Sequence, residues 1–186
     1  MNALAALAAA TLLLGALIYL LDRPAGSAWL LPAQWQEAWQ SRWPASSASS
    51  WFGSAGLWLP SFVHAFAFSV LTAWQLPHRP AFAAAACAGW AFVDTLAEIG
   101  QHAAMSQDVA AAVTALLGHG STAVHIARYF TNGSFAVADI VAALAGSAVA
   151  FAALWWAVSR RRAHAHAPVR AFPDRTLKQA RKGSSS

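Results

Sequence analysis

The sequence predicts an all-α polytopic membrane protein, a four-transmembrane-helix bundle. The first observation is composition: 58% of the 186 residues are hydrophobic and only 10% are charged, which is too apolar for an ordinary soluble domain. The second is a set of apolar runs of about 20 residues, long enough to cross a ~30 Å hydrocarbon core at ~1.5 Å per residue. The third is that most basic residues follow the last of these runs, as in a cytoplasmic segment.

Four predicted spans form a transmembrane domain that covers residues 1 to 158. The first span ends at Asp22 and could instead be a secretory signal. It has no basic segment before it, however, and exceeds the ~7–15 apolar residues usual in such signals. The third span carries two acids, and the fourth is stopped by a serine and three arginines. We predict the spans at about 3–21, 57–76, 81–99 and 135–158.

The basic tail, residues 159 to 186, sets the predicted orientation. It holds eight of the twelve Lys and Arg residues, so the positive-inside rule makes it cytoplasmic, and we expect it to be disordered. Four spans then place the N-terminus inside and the loops 22–56 and 100–134 outside. Because this charge also suits anionic lipid, we expect no nucleic-acid binding. The eight residues are Arg160, Arg161, Arg162, Arg170, Arg175, Lys178, Arg181 and Lys182.

Each outer loop contains a predicted short helix. In the first loop, Trp35, Trp39 and Trp43 are spaced four apart, which puts the three indoles on one helical face. We predict an interfacial Trp-rich helix there, with passive anchoring favoured over lipid recognition. In the second loop, the apolar segment 109–118 is too short to cross a membrane. We therefore predict a short extramembrane or re-entrant helix.

The third span carries a polar face near its end. Asp94, Glu98 and Gln101 stand at positions i, i+4 and i+7, so they lie on one side of a helix. A carboxylate facing acyl chains at mid-bilayer costs ~2.5 kcal/mol or more. We therefore expect this face to point into the bundle or into water.

The predicted topology brings further polar groups to the same outer half of the membrane. His64 lies near the outer end of the second span, and Asp139 lies about one turn into the fourth. Arg128, in the preceding loop, is close enough in sequence to cap them. Together with the third span these residues predict a polar pocket reached from outside. The alternative is an internal hydrogen-bonded network that only holds the helices together.

Three segments resemble the signatures of VanZ-like membrane proteins. They are "PSFVHAFAFSVLTA", "DTLAEIGQ" and "RYFTNGSFAVADIVAALAGSAVAF", which contain H-x-x-x-F, E-x-x-Q and D-I/V-x-A…G patterns within roughly residues 57–152. The resemblance implies an envelope protein of the bacterial inner membrane. Some members are linked to lowered glycopeptide antibiotic susceptibility, and no defined reaction is implied. The positions that carry over are His64, Glu98, Gln101, Arg128 and Asp139.

Our leading hypothesis is a protein that binds a lipid-linked or amphipathic envelope molecule at its outer face, without an assigned reaction. Arg128 would pair with an anionic head group, and His64 and Glu98 would orient it. The expected partners are membrane lipids and a lipid-linked envelope precursor, and we expect no cofactor.

Two other function classes remain open. In an intramembrane hydrolase or transferase, His64 would be the base, Asp94 or Glu98 the acid, and Arg128 a phosphate ligand. However, the chain has no G-x-S-x-G or H-E-x-x-H motif. Scattered histidines lack diagnostic metal spacing, and Cys87 is the only cysteine, so we predict no metal site. In an accessory subunit of a larger membrane complex, the small residues of the fourth span would form contacts with other subunits.

Overall fold

The computed structural model describes residues 2–22, 33–42, 51–77 and 79–165, and within these ranges it is helical without a strand. The long helices contain the apolar runs, whose residues satisfy every backbone hydrogen bond internally when helical. The helices are α1 (Asn2–Asp22), α2 (Ala33–Arg42), α3 (Ala55–Gln75), α4 (Pro80–Gly100), α5 (Ser106–Leu117), α6 (Ser121–Asn132) and α7 (Val137–Ala165).

Among the described residues, four helices, α1, α3, α4 and α7, are long and apolar enough to cross a membrane, which agrees with the predicted number of candidate spans. Their first residues lie within two positions of the predicted starts. The observed and predicted ends differ more for α7. The fourth span is predicted to end at residue 158 and the tail to begin at residue 159, whereas α7 continues as a helix to Ala165. Arginine and alanine are good helix formers, so the helix runs on beyond its apolar part. The tail residues 166–186 lie outside the described residues.

The long helices pack around α3, which contacts α1, α4 and α7. Glycine permits the closest of these approaches. A Cβ atom at Gly146 of α7 would collide with the carbonyl oxygen of Phe62 on α3, and one at Gly15 of α1 would lie 2.9 Å from Val63 Cγ2. Small residues at such crossings let backbones approach where water does not drive association.

One end of the molecule collects the chain termini of four helices, and we call it the polar end. It comprises the last turns of α1 and α4 and the first turns of α3 and α7. The Asp22 carboxylate at the end of α1 accepts hydrogen bonds from the backbone N–H groups of Trp51, at 2.7 Å, and Phe52, at 2.9 Å. This acceptor ties the end of α1 to the start of α3.

Two short helices form the α5–α6 hairpin, residues 106–132, between α4 and α7. The α5 helix contains most of the predicted segment 109–118, whereas α6 is not predicted. The helices contact each other across a turn that includes Gly118, whose φ of +75° favours glycine. The sequence of α6 mixes polar and apolar residues, and only its helical periodicity distinguishes it from a loop.

The α2 helix contains Trp35 and Trp39, both exposed. Their spacing of four residues places them on one face. The side chain of Gln40 donates a hydrogen bond to the carbonyl of Leu20 at 3.1 Å, which holds α2 against the end of α1. Trp43 lies outside the described residues.

Candidate functional site

A histidine and an aspartate pair across α3 and α4. His64 Nδ1 lies 3.5 Å from Asp94 Oδ1; the Asp94 side chain is only 12% exposed, whereas the His64 side chain is 47% exposed. The second carboxylate oxygen of Asp94 is buried and has no hydrogen-bond partner among the described residues. The pair therefore joins two apolar helices and leaves one acceptor unused.

Aromatic side chains support the imidazole. Phe68, one turn after His64, meets the imidazole edge to face at 4.4 Å between ring centroids and stacks on Trp90 at 4.7 Å. Trp90 Nε1 donates a hydrogen bond to Thr72 Oγ1 at 2.8 Å. Each ring is thus fixed by the next, so the H-x-x-x-F spacing places a phenylalanine where it orients His64.

Two further carboxylates link separate elements at the polar end. Glu98 is buried, and its Oε1 accepts a hydrogen bond from the backbone N–H of Ala136 at 2.6 Å. Asp139 Oδ1 accepts a hydrogen bond from Ser61 Oγ at 3.0 Å, and the Asp139 charge acts on Glu98. Asp139 lies in the first turn of α7, where the helix dipole favours a negative charge. The acids of α4 and α7 therefore lie close enough for one charge to act on the other.

Gln101 and Tyr129 connect this cluster to α6. The Gln101 side chain packs so closely on Gly133 that a Cβ atom there would collide with it, and its polar group lies close enough to the Tyr129 hydroxyl to act on the pKa of the phenol. Although 47% of Tyr129 is exposed, desolvation of its hydroxyl, reinforced by Tyr19, Glu98 and Asp94, raises its pKa to about 12. The phenol is therefore a neutral member of the cluster at physiological pH.

Of the six predicted pocket residues, Arg128 is the one that the structure does not bring into the cluster. It is exposed on α6, and within the described ranges the ion pair found is that of His64 with Asp94. No ion pair joins the Arg128 guanidinium to Asp94, Glu98 or Asp139. Here its neighbour Tyr129 reaches the cluster instead.

Sequence reasoning missed three residues of the site: Tyr129, Ser61 and Trp90. Nothing in the sequence marks Tyr129 as a site residue unless α6 is recognised as a helix. The apolar positions 123, 126, 127 and 130 have helical spacing and could have revealed that helix. Ser61 and Trp90 lie three and four residues from predicted site residues on the same helices. Helical neighbours at that spacing share a face, so they could have been included.

An open groove of about 440 Å³ adjoins the cluster between the end of α4 and the hairpin. It shares Gln101 and Gly133 with the cluster, but neither His64 nor Asp94 lines it. Its other walls include His102, Gln107, Thr131 and Phe135. Its volume is in the ~300–1,000 Å³ range of ligand sites, and its walls mix amide, hydroxyl and aromatic groups.

The cluster is rich in hydrogen-bond acceptors. It contains three carboxylates, of which Asp94 pairs with His64, Glu98 accepts from Ala136 and Asp139 accepts from Ser61. Within the described part of the chain, no three His, Cys, Asp or Glu residues are arranged to hold a metal ion. Cys87 is buried in the α4 core, and the aromatic rings around His64 offer no further ligand.

Comparison with protein-family models, with curated proteins and with solved structures gave no significant match for this chain. The VanZ-like resemblance therefore depends on the three quoted segments alone.

Proposed function

We propose that the protein is a VanZ-like integral protein of the bacterial inner membrane that binds a lipid-linked or amphipathic cell-envelope molecule at an outward-facing polar pocket. The observation that carries the proposal is the half-exposed His64 paired with a largely buried Asp94 between two apolar helices. Ionisable groups within a span are expensive and generally functional. An effect on glycopeptide susceptibility would follow if the bound molecule were an envelope precursor.

The outward orientation is supported by the two ends of α7. Asp139 and Arg160 are 21 residues apart on this helix, which corresponds to about 30 Å. Arg160 lies 3.8 Å above the Trp156 ring, an arrangement typical of a membrane interface. If the arginine end is cytoplasmic, as the positive-inside rule requires, both termini are cytoplasmic and the polar end is outside.

Exposed tryptophans support a bilayer position for the whole set of spans. Trp51 and Trp58 lie near the polar end, whereas Trp74, Trp155 and Trp156 lie near the other end, and all are exposed. Tryptophan is enriched at both membrane interfaces. The spans would form a four-helix bundle between these belts, with α2 as an interfacial anchor at the outer one.

The polar end suggests how an amphipathic ligand would be bound. The buried carboxylates and the free oxygen of Asp94 would accept hydrogen bonds from hydroxyl, amide or amine groups. Arg128 would pair with a phosphate or carboxylate. The apolar part of the ligand would stay in the outer leaflet beside the exposed faces of α4 and α7.

The test compares Glu98→Gln with Glu37→Gln, because Glu37 lies on the exposed α2 helix. Both variants remove one charge and keep the shape of the side chain. Native mass spectrometry of the purified proteins measures retained lipid-linked molecules, and antibiotic susceptibility of expressing cells gives a second measurement. We expect Glu98→Gln to reduce the amount of retained lipid-linked molecule and the effect on antibiotic susceptibility at least several-fold. We expect Glu37→Gln to change neither. Equal effects of the two variants would contradict the pocket.

A further inference from the structure

The α5 helix exposes an almost entirely apolar face. Ala111, Ala112 and Ala115 are exposed together with Leu116 and Leu117, and the two leucines are 84% and 58% exposed. Asp108 is the only charged residue of α5 and lies in its first turn. The helix thus becomes more apolar towards the tip of the hairpin, where a water-exposed leucine pair would be unfavourable.

The α6 helix exposes a more polar surface, although Val124 and Tyr129 are also exposed on it, by 39% and 47%. Ser121, His125, Arg128 and Asn132 are exposed, and their spacing of four, three and four residues forms one polar stripe. The shielded side of the same helix is apolar and contains Ala123, Ile126, Ala127 and Phe130.

Packing sets the direction of these two faces. The helices α5 and α6 contact each other, so their exposed faces point away from that contact. Phe130 lies over Gly100 so closely that a Cβ atom there would be 2.8 Å from the ring. This contact holds α6 at the end of α4, and the hairpin therefore lies at the level where the spans end.

The candidate spans also expose apolar side chains in the turns that adjoin the hairpin. Leu96, near the end of α4, and Val137 and Val141, at the start of α7, are exposed and apolar. These residues belong to helices that are long and apolar enough to cross a membrane. The α5 helix has 12 residues, about 18 Å, and cannot cross by itself. A helix of this length with one apolar face suits the membrane interface.

We propose that the α5–α6 hairpin lies on the outer leaflet, with the exposed face of α5 buried at the boundary of head groups and acyl chains. The polar stripe of α6 faces water, and Arg128 lies at head-group level, where it complements lipid phosphates. The partner of this surface is the lipid bilayer. This inference does not depend on a bound envelope molecule.

Spin labels at single cysteines test the orientation in nanodiscs of phosphatidylglycerol and phosphatidylethanolamine. The background is Cys87→Ala, because Cys87 is the only cysteine. Ala112→Cys and Leu116→Cys report on α5, and His125→Cys and Asn132→Cys are the matched positions on α6. Collision rates with oxygen, which concentrates in lipid, and with a water-soluble nickel chelate are measured at each position. Val141→Cys provides the value for a span.

We expect the ratio of the oxygen collision rate to the nickel-chelate collision rate to be several-fold higher at positions 112 and 116 than at positions 125 and 132. At positions 112 and 116 this ratio should approach the ratio measured at position 141. Equal ratios on α5 and α6 would place both helices in water and overturn the proposal. Low collision rates with both reagents at 112 and 116 would show a protein partner on α5 and would overturn it as well. Because no ligand is added, failure here leaves the pocket proposal intact.

Discussion

Carboxylates that accept hydrogen bonds from other elements hold the polar end together. Asp22 accepts from the backbone before α3, Glu98 from the backbone before α7, and Asp139 from Ser61 on α3. The Trp51 donor is exposed and the other donors are partly buried, so losing an acceptor costs at most the ~1–3 kcal/mol of an unpaired buried group. Each of these acids therefore contributes to helix assembly whether or not it touches a ligand.

Tyr129 provides a test of the cluster by pH. Desolvation first, and then the nearby acids, raise its pKa to about 12, compared with ~10 for a free phenol. The resulting stabilisation is fully present below the unfolded pKa and is lost as pH rises through the folded value. We expect ultraviolet absorbance to show a late phenolate transition that disappears in Tyr129→Phe.

The control for that titration is Tyr19→Phe, since Tyr19 is the only other tyrosine. The late transition should remain in this variant. Ionisation of both phenols in the ordinary range would show that Tyr129 is not buried against Gln101.

At the scale of helices, glycines determine how closely α7 approaches α3. Gly146 lies against the backbone of Phe62, whereas Gly89 on α4 has open space where a Cβ atom would stand. Both are helical glycines, so their replacement by alanine changes helix propensity in the same way. They differ in what the added methyl group meets.

We expect Gly146→Ala to destabilise the protein by ~1–3 kcal/mol, the usual cost of overpacking a tight contact. Gly89→Ala should be neutral or stabilising by up to ~1 kcal/mol, because alanine favours the helix. Thermal unfolding of both variants in the same detergent measures the difference. A midpoint for Gly146→Ala equal to that of Gly89→Ala would contradict the close crossing.

At the scale of the whole molecule, the polar end and the arginine end of α7 are expected on opposite sides of the membrane. Ser134→Cys and Ser159→Cys in the Cys87→Ala background place one exposed thiol near each end. An impermeant maleimide should label position 134 in intact cells and position 159 only after the membrane is opened. The reverse pattern would invert the topology and put the pocket in the cytoplasm.

Much of the fold could be predicted because apolar length is a local property. The four long helices begin within two residues of their predicted positions. The α6 helix could not be found by hydropathy, because its outward side is polar and its shielded side is short. Because α6 was not predicted, the contribution of Tyr129 to the site was not predicted either. Arg128 was expected in the position that Tyr129 occupies.

By itself, the sequence determined the number of candidate spans and the helical face that carries Asp94, Glu98 and Gln101, since both follow from spacing along one segment. Only the tertiary structure decided that His64 pairs with Asp94, that Ser61 binds Asp139, and that Arg128 forms no ion pair with the acids. These contacts join residues far apart in the chain. They depend on the angle and depth at which helices cross, which close contacts such as that at Gly146 determine.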